Sequence, residues 1–159
     1  MTTPRTRSTV TTSLVLFTLL SVALIAPTAD AGPRREQQPT SDELRQRMLA
    51  LVNRSRGSHG LPLLRINDRL SREASSHSRR MAQTGVITHT PNLAALVRGV
   101  GGSVFGEDLG TGRGLRGIRD AWMRRADTRR IMLDPRFANV GLGVVHANGF
   151  YWVTLQVFD

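Results

Sequence analysis

The chain is predicted to fold as a mixed α/β (α+β) domain, with helices layered on an antiparallel sheet. Two observations carry this expectation: three segments with helical apolar spacing between residues 40 and 133, then two alternating apolar segments around an Asn148-Gly149 pair. A third bounds it. The 159 residues include no cysteine, so a core must be built by packing alone, without disulfides or thiolate-bound metal.

Thr40 and Glu43 have the spacing of a capping box, in which hydroxyl and carboxylate each satisfy a backbone group at a helix start. Leu44, Met48, Leu51 and Val52 then fall on one helical face, ending before Gly57 and Gly60. A second helix is predicted from Asp68 to Thr84, capped by Asn67 and stopped by Gly85. Its stripe is Leu70, Ala74, His77, Ser78 and Met81, which puts a histidine among core-facing positions. Pro91 makes Val86 to Thr90 extended or turned. Seven glycines between Gly99 and Gly114 predict a loop, anchored by Val104 and Phe105. Leu115, Ile118, Ala121 and Trp122 mark a third helix, interrupted near Ala126 and followed by a short turn through Leu133. Val140, Leu142 and Val144 alternate as a strand, Asn148-Gly149 supplies a tight turn, and Phe150 to Phe158 returns.

Ahead of this domain, Arg5 and Arg7, an uncharged run of 13 residues from Leu14 to Ala26, and Ala29-Asp30-Ala31 form the order of a cleavable secretory signal, residues 1–31. The run is shorter than the roughly 20 residues that cross a bilayer as a helix, so no stable membrane span is expected after processing. An extracellular protein starting at Gly32 is expected, with a short disordered lead-in over 32–39 and the domain over 40–159. Loss of Arg5, Arg7 and Asp30 would take the formal charge from +10 to +9. All the basic side chains except the histidines are arginines, scattered as singles and pairs without interleaved aromatics. That pattern offers no specific nucleic-acid signature and leaves two readings, an ordinary solvated surface or contact with an anionic polymer.

Five stretches, in order, carry a resemblance: LVNRSRGSHGLPLL at 51–64, HSRRMAQTGVITH at 77–89, FGEDLG at 105–110, AWMRRADTRRIMLDPRF at 121–137, and VGLGVV with YWVTLQVF within 140–158. Together they resemble the CAP superfamily of cysteine-rich secretory, antigen 5 and pathogenesis-related proteins, in its cysteine-free bacterial secreted branch. The resemblance implies a three-layer α-β-α sandwich with a central antiparallel sheet. It also implies a cleft lined by two histidines and acidic residues, which in several members holds a divalent metal. Carried onto this chain, His89 is the first cleft histidine and Glu107 the glutamate of a Gly-Glu-Asn motif, here Gly106-Glu107-Asp108; the residues alone leave open a structural hydrogen-bonding role for His89 and, for Glu107, capping a helix or tying down backbone amides. Trp122 lies on the helix that closes the cleft. Ungapped alignment from Trp122-Met123 to Leu133 puts Thr128 where the second histidine would stand. A threonine hydroxyl is a poor zinc ligand, so the resemblance leaves His89 and Glu107 as a weakened divalent-metal (zinc) pair and requires no cofactor.

His77 is the nearby histidine that could substitute, but its apolar neighbours favour a hydrogen-bonded core residue. His146 is expected half-exposed at the hairpin end and His59 solvated. The sequence contains no His-Glu-x-x-His pair, no Gly-x-Ser-x-Gly elbow and no cysteine nucleophile. The preferred expectation is a non-catalytic extracellular binding domain whose cleft (His89, Glu107, Asp108, Trp122, Thr128) accepts a lipid, a peptide or a wall fragment. The alternatives are a weak metal-dependent hydrolase, with Glu107 as general base and His89 as ligand or acid, and a basic surface module for anionic wall polymers.

Overall fold

A computed structural model describes Thr2 and residues 38–159. Apart from Thr2, the expected signal, residues 1–31, lies outside the described residues, as does most of the lead-in. Helix α1, Ser41–Gly57, opens on the expected capping box: Thr40 accepts from the Glu43 amide while Glu43 accepts from the Thr40 amide. Leu44, Met48 and Val52 are buried, and Leu51 is only half-buried at the edge of the stripe. Strand β1 is the two-residue Arg65–Ile66. Helix α2, Asp68–Thr84, runs between the expected Asn67 cap and Gly85, whose φ of 72° is the left-handed turn that ends a helix. A short helix α3, Leu93–Arg98, follows, and no stripe in the sequence marked it.

The glycine-rich region departs from the expectation of a loop. Residues Phe105–Gly112 are strand β2, and Phe105 is 41% exposed rather than an anchor, while Val104 packs partly into the core. The reason is steric. Gly106, Gly110 and Gly112 lie on one face of the strand, where helices press against its backbone. A Cβ at Gly110 would stand 2.5 Å from Ile118, and one at Gly106 2.9 Å from Ile131. These glycines serve close approach rather than turning.

Helix α4, Leu115–Arg124, breaks at Arg125, whose backbone is extended, and restarts as α5, Ala126–Met132. The interruption was expected; the turn after it is instead a second short helix. Strands β3, Asn139–Ala147, and β4, Phe150–Phe158, form the expected hairpin. Asn148 and Gly149 both have positive φ (52° and 76°), matching a two-residue turn that follows the strand twist.

The sheet order is β1-β3-β4-β2, antiparallel except for the β1–β3 pair. Val140, Leu142 and Val144 of β3 with Val153, Leu155 and Val157 of β4 face one core, shared with Met48, Val52, Ile118, Trp122 and Met132. The opposite face presents Gly141 and Gly143 to α2, where any Cβ would overlap Leu70 or the Ala74 backbone. Ser78 fastens that contact, its hydroxyl donating to the Gly143 carbonyl and bonding Thr154. One helical layer is thus α2, and α1, α4 and α5 form the other: the three-layer α-β-α sandwich. Arg56, 0% exposed, stitches the end of α1 to the 132–137 segment by donating to four carbonyls, those of Pro62, Met132, Asp134 and Phe137. Among the described residues no helix is long and apolar enough to cross a membrane.

Candidate functional site

Strand β2 lies at a sheet edge, with register pairing Glu107 to Gln156 and Asp108 to Leu155 of β4. Alternation therefore sends these two neighbouring carboxyls to opposite faces: Glu107 toward the segment after α2, Asp108 toward α4 and α5. A cleft of about 520 Å³ runs along this edge, and His89, Glu107, Asp108, Trp122 and Thr128 all line it. Ile87, Leu109, Ile118 and Ile131 add an apolar wall, and Ile87 is 46% exposed.

His89 and Glu107, 18 residues apart in sequence, converge. His89 Nδ1 lies 2.6 Å from Glu107 Oε2, with the histidine side chain 76% exposed and the glutamate 4%. The same oxygen accepts from the Thr90 amide at 3.0 Å, and Oε1 accepts from Gln156 Nε2 at 3.1 Å. Gln156 also donates to the Thr90 hydroxyl. Burial pushes the Glu107 carboxyl upward, but hydrogen bonds from Thr90, Gln156 and His89 outweigh it and hold the group below the usual carboxylate range.

Asp108 meets the reverse condition. It is 1% exposed and neither carboxyl oxygen has a partner. Burial first, then the charges of Asp127 and Glu107, push its carboxyl up to about 8. At neutral pH this side chain is a buried, uncharged acid.

Trp122 is buried and its indole N–H donates to the Leu109 carbonyl at 2.8 Å, tying α4 to β2. Thr128 stands at the cleft, but its hydroxyl donates to the Trp122 carbonyl at 2.7 Å, closing the frayed end of α4. Beside it Asp127, hydrogen-bonded by Arg125 and by the Thr128 amide, is held down at about 2. Among the described residues no three histidine or acidic side chains come together as a metal-binding group. His89 and Glu107 bond to one another, Asp108 turns to the other face, and Thr128 is engaged with the backbone, so the donor set is short of the usual zinc complement.

His77 is the core residue expected: 2% exposed, its Nε2 lies 2.5 Å from the Thr88 carbonyl and its Nδ1 accepts from Arg80. That bond fixes the backbone one residue before His89. His59 is exposed. His146 is exposed rather than half-buried, stacked on Tyr151 at 4.4 Å. Sequence reasoning missed Thr90 and Gln156, the two residues that complete the shell of Glu107. Gln156 carried a readable signal, a long amide set between Leu155 and Val157 in a strand.

The model of the CAP cysteine-rich secretory protein family matches residues 49–158. The chain belongs to this family. Among solved structures, this CAP domain is similar to an extracellular protein of Bacillus anthracis containing an SCP domain. The identity is 25% and the TM-score 0.60, over 75% of this chain and 41% of that one. It is also similar to a cysteine-rich secretory protein of Staphylococcus aureus, with 17% identity and TM-score 0.60 over 79% of this chain and 40% of that one. An outer surface protein of Borrelia burgdorferi shares the fold with TM-score 0.64 at 15% identity, over 72% of this chain and 90% of that one. The chain thus spans about two fifths of the length of the Bacillus and Staphylococcus proteins. Comparison with curated proteins gives no match.

Proposed function

We propose that this CAP domain is an exported, non-catalytic binding module whose β2-edge cleft takes a small lipid, peptide or wall fragment. The observation that carries the reading is the state of Glu107. Its carboxylate accepts from a backbone amide, an imidazole and a side-chain amide, and is held below its ordinary range. A general base works best with its pKa near the working pH and a lone pair open to substrate. Glu107 is instead the bracket that fixes the His89 segment against β2. The cleft it shapes combines an apolar wall with the exposed imidazole of His89 at its rim. Such a mixture suits recognition of a partly apolar ligand.

Export is supported by the order of Arg5, Arg7, the 14–26 apolar run and Ala29-Asp30-Ala31. It is supported too by the extracellular and surface descriptions of the similar proteins. The metal-assisted hydrolase has less support, because it asks of Glu107 a proton transfer that its partners oppose.

The test is a titration of tryptophan emission with a lysophospholipid, a tripeptide and a disaccharide-peptide wall fragment. Ala121 lines the cleft half-buried, and Ala121→Phe fills it. One ligand class is expected to saturate the signal in the wild type and to lose binding in Ala121→Phe. Titrations unchanged by that substitution, or turnover of a ligand that disappears in Glu107→Gln, would overturn the proposal.

A further inference from the structure

We propose that a second site, the groove between α1 and the start of α4, binds an extended polymer bearing repeated phosphate groups. This groove of about 500 Å³ shares no residue with the β2-edge cleft. Arg47, Arg54, Arg113 and Arg116 line it, and no acidic residue does. Among the described residues none of the four forms an ion pair. The nearby carboxylates are already engaged: Asp42 with Arg45, Glu43 with the Thr40 cap, Asp120 with Arg119. Four guanidiniums around one groove repel each other and gain most from a multiply charged anion, which each can grip through paired N–H donors.

The start of α4 adds to this field. Its cap residue is Gly114, which supplies no side-chain acceptor, and its first turn holds no acid. Gly114, Leu115 and Arg116 line the groove, so the positive end of the helix dipole, with its first N–H groups lacking intrahelical partners, lies at the groove wall.

The arginines are spread along the groove, which suits a chain of charges. Arg47 and Arg54 stand seven residues apart on one face of α1, about 10 Å along the axis at 1.5 Å per residue. Arginines set along that length, with Arg113 and Arg116 beside them, can each take a successive phosphate of a flexible strand. The groove is a poor nucleic-acid site, because base stacking needs free aromatic faces. Its one aromatic residue, Tyr151, is stacked on His146, and the neighbouring Phe150 lies under Arg113.

The experiment measures binding of the purified protein to a long-chain inorganic polyphosphate by calorimetry across a salt series. Arg47→Gln/Arg54→Gln removes two groove charges. Arg72→Gln/Arg79→Gln removes two charges at the same spacing on α2, outside the groove, where both are exposed. The groove variant is expected to weaken binding about tenfold or more at low salt and to lower the log–log salt slope by about 1.4, at about 0.7 per contact to a flexible strand. The α2 variant should lose far less, and orthophosphate should compete poorly. Far-ultraviolet circular dichroism checks that both variants fold.

Equal losses in the two variants would show only diffuse attraction. Tighter binding of single-stranded DNA than of polyphosphate would assign the groove to nucleic acid. Saturable binding of dodecanoate with none of polyphosphate would assign it to single amphipathic anions. Each of these outcomes overturns the proposal, and none of them bears on the β2-edge cleft.

Discussion

Replacing Asp108 with asparagine should stabilise the protein at neutral pH and destabilise it in acid. The carboxyl is buried without a partner and titrates at about 8, against an ordinary value of 3.8. In the unfolded chain the group is ionised above about pH 4, while the folded protein must keep it protonated. The folded state therefore binds more protons between those values, and stability falls as pH rises through the window. At about 1.4 kcal/mol per pH unit, the loss accumulated by pH 7 is on the order of 4 kcal/mol. It levels off above pH 8, where both states are ionised.

Asparagine does not titrate. Its buried amide donors, facing the space that now leaves both carboxyl oxygens unpaired, carry a pH-independent cost of about 1–3 kcal/mol. The two curves are therefore expected to cross: Asp108→Asn less stable near pH 4, more stable at pH 7. Urea unfolding of both proteins at pH 4, 5.5, 7 and 8.5 measures the difference, and the other titrating groups, present in both, largely cancel. A constant gap between pH 5 and 8 would refute the reasoning, because it would mean that Asp108 has found a partner or a water path in solution.

Glu107→Gln should behave in the opposite sense. The depressed carboxylate contributes stability above its unfolded pKa that is lost as pH falls through its folded one, so the variant should lose about 1–3 kcal/mol at pH 6 and approach the wild type in acid; a gap that widens in acid would refute this. Chelation with EDTA should leave the melting temperature unchanged, since Thr128 donates to the Trp122 carbonyl and no third donor joins His89 and Glu107. Tight stoichiometric zinc in calorimetry, lost in His89→Ala and Glu107→Ala, would overturn that, and Thr128→His should raise zinc affinity by adding an imidazole at the cleft. Arg56→Met leaves four carbonyls without their donor and, at about 1–3 kcal/mol for a buried acceptor left unpaired, should cost at least about 3 kcal/mol in urea unfolding; a loss under about 1 kcal/mol would show that water replaces those bonds.

The helices and the hairpin were legible because their signals are local. Thr40 and Glu43, Asn67 and Gly85, and Asn148 with Gly149 each specify a boundary through bonds or dihedral angles spanning a few residues. Strand β2 was not legible for a matching reason. Glycine reads locally as chain freedom, yet Gly106 and Gly110 are small because Ile131 and Ile118 arrive from residues far along the chain. Arg56 was hidden otherwise: it continues the step of four from Leu44, Met48 and Val52, which Arg54 does not, but its partners are carbonyls at Pro62 and in the 132–137 segment, mostly far along the chain. Helix α3, six residues long, is too short for its apolar spacing to stand out.

At the site, the pairing of His89 with Glu107 was expected from the resemblance, while its chemical meaning waited on Gln156, which reaches the carboxylate through the β2–β4 register, and on Thr90, brought to it by the segment after α2. Asp108 shows the same division. Its replacement of an amide is visible in Gly106-Glu107-Asp108, but whether an acid there is charged depends on which face of β2 it takes. Alternation turns it away from the donors that satisfy Glu107 and into the layer beneath α4 and α5. Two adjacent carboxyls thus receive opposite treatment from one strand, the first ionised and bracketed, the second neutral and unpartnered. That asymmetry makes the pair a sensitive reporter of the cleft: whatever displaces β2 from α4 must change the pH dependence of Asp108 before it disturbs Glu107.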